Sequence, residues 1–187
     1  MPGLTARPFW FLRQGETDWN AAERSQGNTD IPLNAAGLDQ ARTAARLLRG
    51  RGIATLVASP LARARVTAEI VADTIGRPVE FDPGLREVAF GVAEGEPLSG
   101  WFADWLGGLF TPEGGESFAD LRLRAVAAIN RALARPAPVL VVAHGGFFRA
   151  VRAEMGLAPH IRTPNGMPLF CTPGEPWALT PATELPC

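Results

Sequence analysis

Three apolar runs in this chain each end in residues suited to binding an anion. Phe9–Leu12 leads into Arg13-Gln14-Gly15. Thr55–Ala58 leads into Ser59-Pro60, with Arg63 in the turn that follows. Val139–Ala143 leads into His144-Gly145-Gly146. A guanidinium group offers charge-assisted, bidentate bonds to phosphate oxygens, so Arg13 and Arg63 point to a phosphoryl group. Helices beginning after Ser59 and His144 would add backbone N–H donors and a favourable dipole. In open parallel sheets, ligands bind beyond the carboxyl ends of the strands. Three signals on that one edge carry more weight together than any of them alone.

The elements that must position these residues follow from pattern and punctuation. Asn34 caps a helix with Leu38, Ala41, Ala45 and Leu48 on its apolar face, closed by Gly50 and Gly52. Ser59 as N-cap and Pro60 as first helical residue predict a second helix, which buries Ala64, Ala68, Val71 and Ile75 and ends at Gly76. Ser117 caps a third, with Phe118, Leu121, Ala125, Ile129 and Leu133 inward; a fourth runs from Gly146 to about Met155. Val79–Phe81 reads as an edge strand and Val139–Ala143 as the central one. Met167–Thr172 and Trp177–Thr180 are two further strands joined by a Pro-Gly turn. Arg13 to Asn34 is too long for a turn and reads as a functional loop. Gly84 to Pro112 reads as irregular, with Trp101, Phe102, Trp105, Leu106 and Phe110 packed as a cap over the core rather than as a substrate box. Strands alternating with helices predict α/β architecture: a three-layer α/β/α sandwich with a mostly parallel central sheet. Residues 1–187 are read as a single domain, with a small cap segment near 96–116.

Composition narrows the partners. The 187 residues are 47% hydrophobic and 20% charged, with a net charge of −1, which gives no footprint for nucleic acid or an anionic membrane. All 18 basic residues are arginine. Abundant Ala, Gly and Pro beside them point to a coding bias, yet the result suits oxyanion binding. Cys171 and Cys187 cannot build a disulfide framework, and two histidines, His144 and His160, cannot assemble a zinc cluster. Neither a metal nor another cofactor is therefore expected. Met1 to Phe11 lacks the apolar stretch of a signal peptide, and no run approaches the ~20 residues of a membrane helix. The expected location is cytoplasmic.

The ordered set of motifs resembles the histidine phosphatase superfamily, in its phosphoglycerate mutase-like phosphatase branch. The resemblance spans nearly the whole chain. It runs through Leu12-Arg13-Gln14-Gly15-Glu16-Thr17, Trp19-Asn20, Arg24-Ser25-Gln26-Gly27 and Asp30-Ile31-Pro32-Leu33-Asn34, then Gly37 and Gln40-Ala41. Ser59-Pro60-Leu61-Ala62-Arg63-Ala64, Leu85-Arg86-Glu87, Phe90-Gly91, Glu94-Gly95, Gly115-Glu116-Ser117 and His144-Gly145-Gly146 complete it. The resemblance implies a phosphoglycerate mutase-like fold and a phosphohistidine nucleophile between the first Arg and Gly, where this chain has Gln14. It implies that Arg13, Arg63 and His144 hold the phosphoryl oxygens, that Asn20 is a further phosphate contact, and that Gln26, Gly27 and Gly145 lie at the substrate. Glu87 corresponds to the acid that protonates the leaving oxygen and then activates water.

Physical chemistry agrees with that division of labour. Phosphoryl transfer needs neutralised equatorial oxygens, an in-line nucleophile and a proton donor. Gln14 cannot attack, because its amide lone pair is delocalised into the carbonyl, but it can donate to a bound oxyanion. The expected function is a phosphomonoester hydrolase scaffold, inactive or severely impaired as written, with Gln14 an engineered trap or a natural loss. The alternative is a pseudo-phosphatase that binds a phosphorylated ligand. A mutase is less favoured, since the family's cofactor-dependent mutases carry extra segments around the substrate and the stretch from Glu87 to His144 is short. Either way the partner is a small phosphorylated substrate or inorganic phosphate.

Overall fold

The computed structural model describes residues 3–184, and Cys187 lies outside them. Six strands, β1 (Phe9–Arg13), β2 (Thr55–Ala58), β3 (Val79–Phe81), β4 (Val139–Ala143), β5 (Pro168–Thr172) and β6 (Ala178–Pro181), form one sheet in the order β3-β2-β4-β1-β5-β6. The first four are mutually parallel, while β5 runs antiparallel to β1 and β6 antiparallel to β5. The helices are α1 (Asp18–Ala21), α2 (Ala35–Leu48), α3 (Ala62–Ile75), α4 (Gly100–Leu106), α5 (Phe118–Leu133) and α6 (Gly145–Glu154).

Side chains alternate across a strand, and here both faces are apolar. Phe9, Phe11, Val139 and Val141 pack with Leu121 and Ile129 of α5 and Phe147 and Phe148 of α6. Their neighbours Trp10, Leu12, Leu140 and Val142 pack on the other face with Ala44 and Leu48 of α2 and Ala64, Ala68 and Val71 of α3. Doubly buried strands read as unbroken apolar runs for this reason. The order β2-β4-β1 sets Ser59, His144 and Arg13 on adjacent strand ends.

Several boundaries differ from the sequence reading. α3 begins at Ala62 with Leu61 at its N-cap, so Ser59 does not cap it and Pro60 is not helical. A distant carboxylate does that work: Asp30 Oδ1 accepts from the Ala62 N–H at 2.8 Å. The segment read as irregular contains α4 and two 3-10 turns, Pro83–Leu85 and Gly91–Ala93, and the long first loop contains α1. α6 starts one residue earlier, at Gly145, and the last two strands each start one residue later. Leu38 and Ile75 are half-buried rather than core. The caps at Asn34 and Ser117 form as expected, accepting from Gly37 N at 2.8 Å and Asp120 N at 3.1 Å. In residues 96–116, Trp105 is fully buried, donates to Glu116 O at 2.9 Å and stacks edge-on with Phe90 and Phe118, so this aromatic cluster is continuous with the core.

The loop after β1 is pressed against the start of α2. A Cβ on Gly15 would overlap Gly37 backbone, and one on Gly37 would overlap the Glu16 carbonyl. Gly37→Ala should therefore destabilise the fold by about 1–3 kcal/mol, as overpacking does. Gly100→Ala, which faces open space, should stay within about 0.5 kcal/mol of the parent. Urea unfolding of the two variants checks this; equal midpoints would show that the close approach is not tight.

Candidate functional site

Arg13 closes β1, and its Nη1 donates to the Thr163 carbonyl at 2.5 Å, while its buried Nε has no partner. Burial, then the nearby Arg162, pulls its pKa down to about 10, with Glu87 acting in the opposite sense. Arg63, in the first turn of α3, is 1% exposed. Its Nη1 and Nη2 donate to the Thr29 and Gly27 carbonyls at 3.0 and 2.7 Å, and its Nε is also buried without a partner. Burial lowers this pKa too, while Glu87, Asp30 and Glu94 raise it.

His144 follows β4 and is fully buried. Its Nε2 lies 2.7 Å from Ser59 Oγ, and its Nδ1 has no partner. Burial, then the charges of Arg63 and Arg13, holds its pKa well below the ordinary 6.5, so the ring is neutral. Glu87 Oε2 accepts from Gly146 N at 2.9 Å, and Oε1 accepts from Phe147 N at 2.6 Å and Val88 N at 3.0 Å. The sequence reading assigned the starts of α3 and α6 to an anionic ligand. Protein carboxylates already take those donors, Asp30 at Ala62 and Glu87 at Gly146 and Phe147. The paired glycines are explained by approach: a Cβ on Gly145 would sit 3.0 Å from Arg13 Nε, and one on Gly146 would sit 2.8 Å from Glu87 Oε1.

Arg13, Gln14, Asn20, Gln26, Glu87 and Gly145 line one cavity of about 170 Å³ at this edge, below the ~300 Å³ at which clefts for drug-sized ligands begin. Gln14 is 2% exposed, and its Oε1 is buried without a partner. Asn20 Oδ1 accepts from Thr17 N at 3.2 Å and Asn165 Nδ2 at 3.1 Å, and Gln26 Oε1 accepts from Thr17 Oγ1 at 2.9 Å. Arg63, His144 and Gly27 do not line the cavity surface. The first two are buried, and Gly27 uses its carbonyl on Arg63.

Other members of the site were not singled out by sequence. Thr163 and Asn165 come from the loop after α6, where no local pattern marks them; Asn165 Nδ2 also donates to the Gln14 carbonyl at 3.0 Å. Glu94, quoted only within a motif, accepts from Asn28 N and Thr29 N, each at 3.0 Å, and fixes the loop that grips Arg63. Arg149 and Arg162 stand on the cavity wall with Leu98 and Phe102. Arg149 lies four residues after Gly145 on α6, a spacing that shares one helix face. Arg65 faces solvent and pairs with Glu69, and His160 is exposed. Among the described residues no group of three His, Cys, Asp or Glu side chains could hold a metal ion, and no helix is long and apolar enough to cross a membrane.

This chain belongs to the histidine phosphatase superfamily, branch 1, whose family model matches residues 9–165. Among its relatives is a probable phosphoglycerate mutase, GpmB, of Yersinia enterocolitica, 38% identical over 164 residues that cover 81% of this chain and 76% of that protein. Its fold matches that of a mycobacterial glucosyl-3-phosphoglycerate phosphatase solved with VO3, at a TM-score of 0.81 and 30% identity, covering 93% of this chain and 97% of the other. A protein from Thermus thermophilus, TTHB049, is similar at a TM-score of 0.78 and 30% identity, over 95% and 100% of the two chains. A mixed six-stranded α/β sheet flanked by helices is thus the architecture shared with these proteins.

Neutral, buried His144 has a consequence for stability. Below pH 6.5 the unfolded chain takes up a proton there that the folded chain refuses, so stability falls as pH falls. His144 should contribute a slope of up to about 1.4 kcal/mol per pH unit between pH 6.5 and 5.5. Urea titrations at several pH values should give a shallower slope for His144→Gln than for the parent. Coincident slopes would mean that the folded ring takes up its proton as readily as the unfolded one.

Proposed function

We propose that the cavity receives the phosphoryl group of a small phosphomonoester, and that Gln14 occupies the position of the family's nucleophilic histidine, so that the chain binds such a group but turns it over poorly. The observation that carries this reading is that three buried side-chain nitrogens have no partner: Arg13 Nε, of a residue on the cavity wall, with Arg63 Nε and His144 Nδ1. A buried donor without an acceptor costs about 1–3 kcal/mol, more when charged, and one oxyanion can satisfy several at once. The guanidinium groups neutralise the equatorial oxygens, the Gln14 amide donates to the same group, and Asn20 and Gln26 line the same cavity. Glu87, on the same wall, is the proton donor to the leaving oxygen and then the base for water. These groups need no metal to balance the phosphoryl charge.

Arg149 and Arg162 on the cavity wall favour a monoester whose alcohol part carries a second anionic group. The names of the relatives, a phosphoglycerate mutase and a glucosyl-3-phosphoglycerate phosphatase, support that class. The amide at position 14 beside otherwise complete oxyanion machinery favours a second reading, a phosphatase-like binding protein without turnover.

Binding is tested first. Vanadate at a hundredfold excess over its dissociation constant should stabilise the chain by about 2.7 kcal/mol in thermal unfolding, and Arg13→Ala should remove the effect. A parent that shows no shift would refute the phosphoryl site.

Catalysis is tested by restoring the nucleophile. Gln14→His should raise hydrolysis of an aryl phosphate by at least ~10³-fold, or roughly 4 kcal/mol of barrier. The revertant should acquire acid-labile, base-stable label from a phosphorylated substrate and should prefer phosphoglycerates to monoesters of uncharged alcohols. Rapid turnover by the parent, unchanged by the substitution, would place the nucleophile elsewhere. A folded revertant without activity would favour the binding-protein reading.

A further inference from the structure

The Ser59–His144 contact assigns Ser59 a role that its position in the sequence does not suggest. We propose that the Ser59 hydroxyl is a positioning residue that donates to His144 Nε2 and thereby fixes the imidazole as the tautomer protonated on Nδ1, the buried nitrogen that no protein group pairs. This rests on the phosphoryl-binding reading above.

Sheet register makes the pair. Ala58 lies opposite Val142 in the parallel β2–β4 ladder, so Ser59, directly after β2, and His144, directly after the last β4 residue Ala143, leave adjacent strand ends. Ser59 N also donates to Val142 O at 3.0 Å, and both side chains are fully buried.

Proton counting then selects the direction of the 2.7 Å contact. A serine oxygen has one proton and two lone pairs. Ser59 Oγ accepts from Leu61 N at 3.3 Å, which leaves its proton in need of an acceptor in a buried place. Nε2 of a neutral imidazole provides one only if the ring proton is on Nδ1. The opposite tautomer strands the hydroxyl proton and turns the Nδ1 lone pair, which has no partner, toward an incoming anion. The doubly protonated ring is opposed by burial and by Arg63, Arg13 and Arg124. The arrangement yields a neutral donor near the charges of Arg63 and Arg13, which adds a hydrogen bond without adding a third charge. The tautomer of such a ring is set by the bond its other nitrogen makes.

The chain has two histidines, and His160 is exposed, so ¹⁵N-labelled histidine gives two separable rings. Long-range ¹H–¹⁵N spectra of the ligand-free parent should show His144 protonated on Nδ1 alone at neutral pH. Ser59→Ala should move it to the Nε2–H form or a mixture and weaken vanadate binding about tenfold, the worth of one hydrogen bond to a charged group. Ser59→Thr, which keeps the hydroxyl, should restore both tautomer and affinity. An Nε2–H ring in the parent overturns the proposal without any variant, as does a Ser59→Ala protein that keeps the Nδ1–H form. The spectra need no ligand, so they separate two failures. Vanadate binding lost in Arg13→Ala, with tautomer and affinity unchanged in Ser59→Ala, sinks the role of Ser59 and leaves the phosphoryl site standing. An Nδ1–H ring in a parent that does not bind vanadate sinks the phosphoryl site and, with it, the proposed purpose of the tautomer.

Discussion

Two guanidinium groups, Arg13 and Arg63, are taken out of water at the carboxyl edge of the sheet, and among the described residues neither is in an ion pair. Burying a charge is expensive unless hydrogen bonds replace its hydration. Backbone carbonyls do so in part: Thr163 for Arg13, Gly27 and Thr29 for Arg63. Much of the surrounding chain is arranged to hold this pair in place.

The loop after β1 illustrates the arrangement. Residues 26–30 must present two carbonyls to Arg63, and they do so because Glu94 collects the Asn28 and Thr29 N–H groups while Asp30 caps α3. Gly27 takes a left-handed φ of 56°, and any Cβ there would meet the Glu94 side chain. Thr67 joins the two halves, accepting from Gly15 N and donating to Arg63 O. A carboxylate from a distant segment, a glycine and a helix thus act on one guanidinium.

Glu87 shows how the same edge accommodates a negative group. Its carboxylate sits on the first N–H groups of α6, where the helix dipole favours anions. That contact holds it on the cavity wall beside Arg13 and Gln14 and requires glycine at position 146. Gln14 is enclosed in the same frame by the Ala143 carbonyl and the Asn165 amide, so a substitution at this position changes the chemistry of one side chain within a backbone fixed from both sides.

Local physics made a large part of this protein readable in its sequence. Apolar runs located β1, β2 and β4, a short edge pattern β3 and a Pro-Gly turn the pair β5 and β6, and the caps at Asn34 and Ser117 formed as read, because a short polar side chain satisfies helix N–H groups a few residues away. That Arg13, Gln14 and Gly145 reach one edge was readable too, since parallel strands deliver their carboxyl ends there; Glu87, which follows a 3-10 turn rather than a strand, was legible only through the family resemblance. Residues whose partners lie far along the chain were not readable. Ser59 has the sequence of an N-cap, yet its hydroxyl meets His144, and α3 is capped by Asp30 instead. Thr163, Asn165 and Glu94 carry no local signature, because a single hydrogen bond across a long separation leaves no periodicity. α4 was hidden for a related reason: at seven residues, Gly100–Leu106, it is too short to stand alone and forms because Trp105 is drawn into the core. Composition and spacing therefore set which groups reach the edge. Tertiary packing alone decided which of them are paired and which are left open, because that depends on contacts between segments the sequence keeps apart.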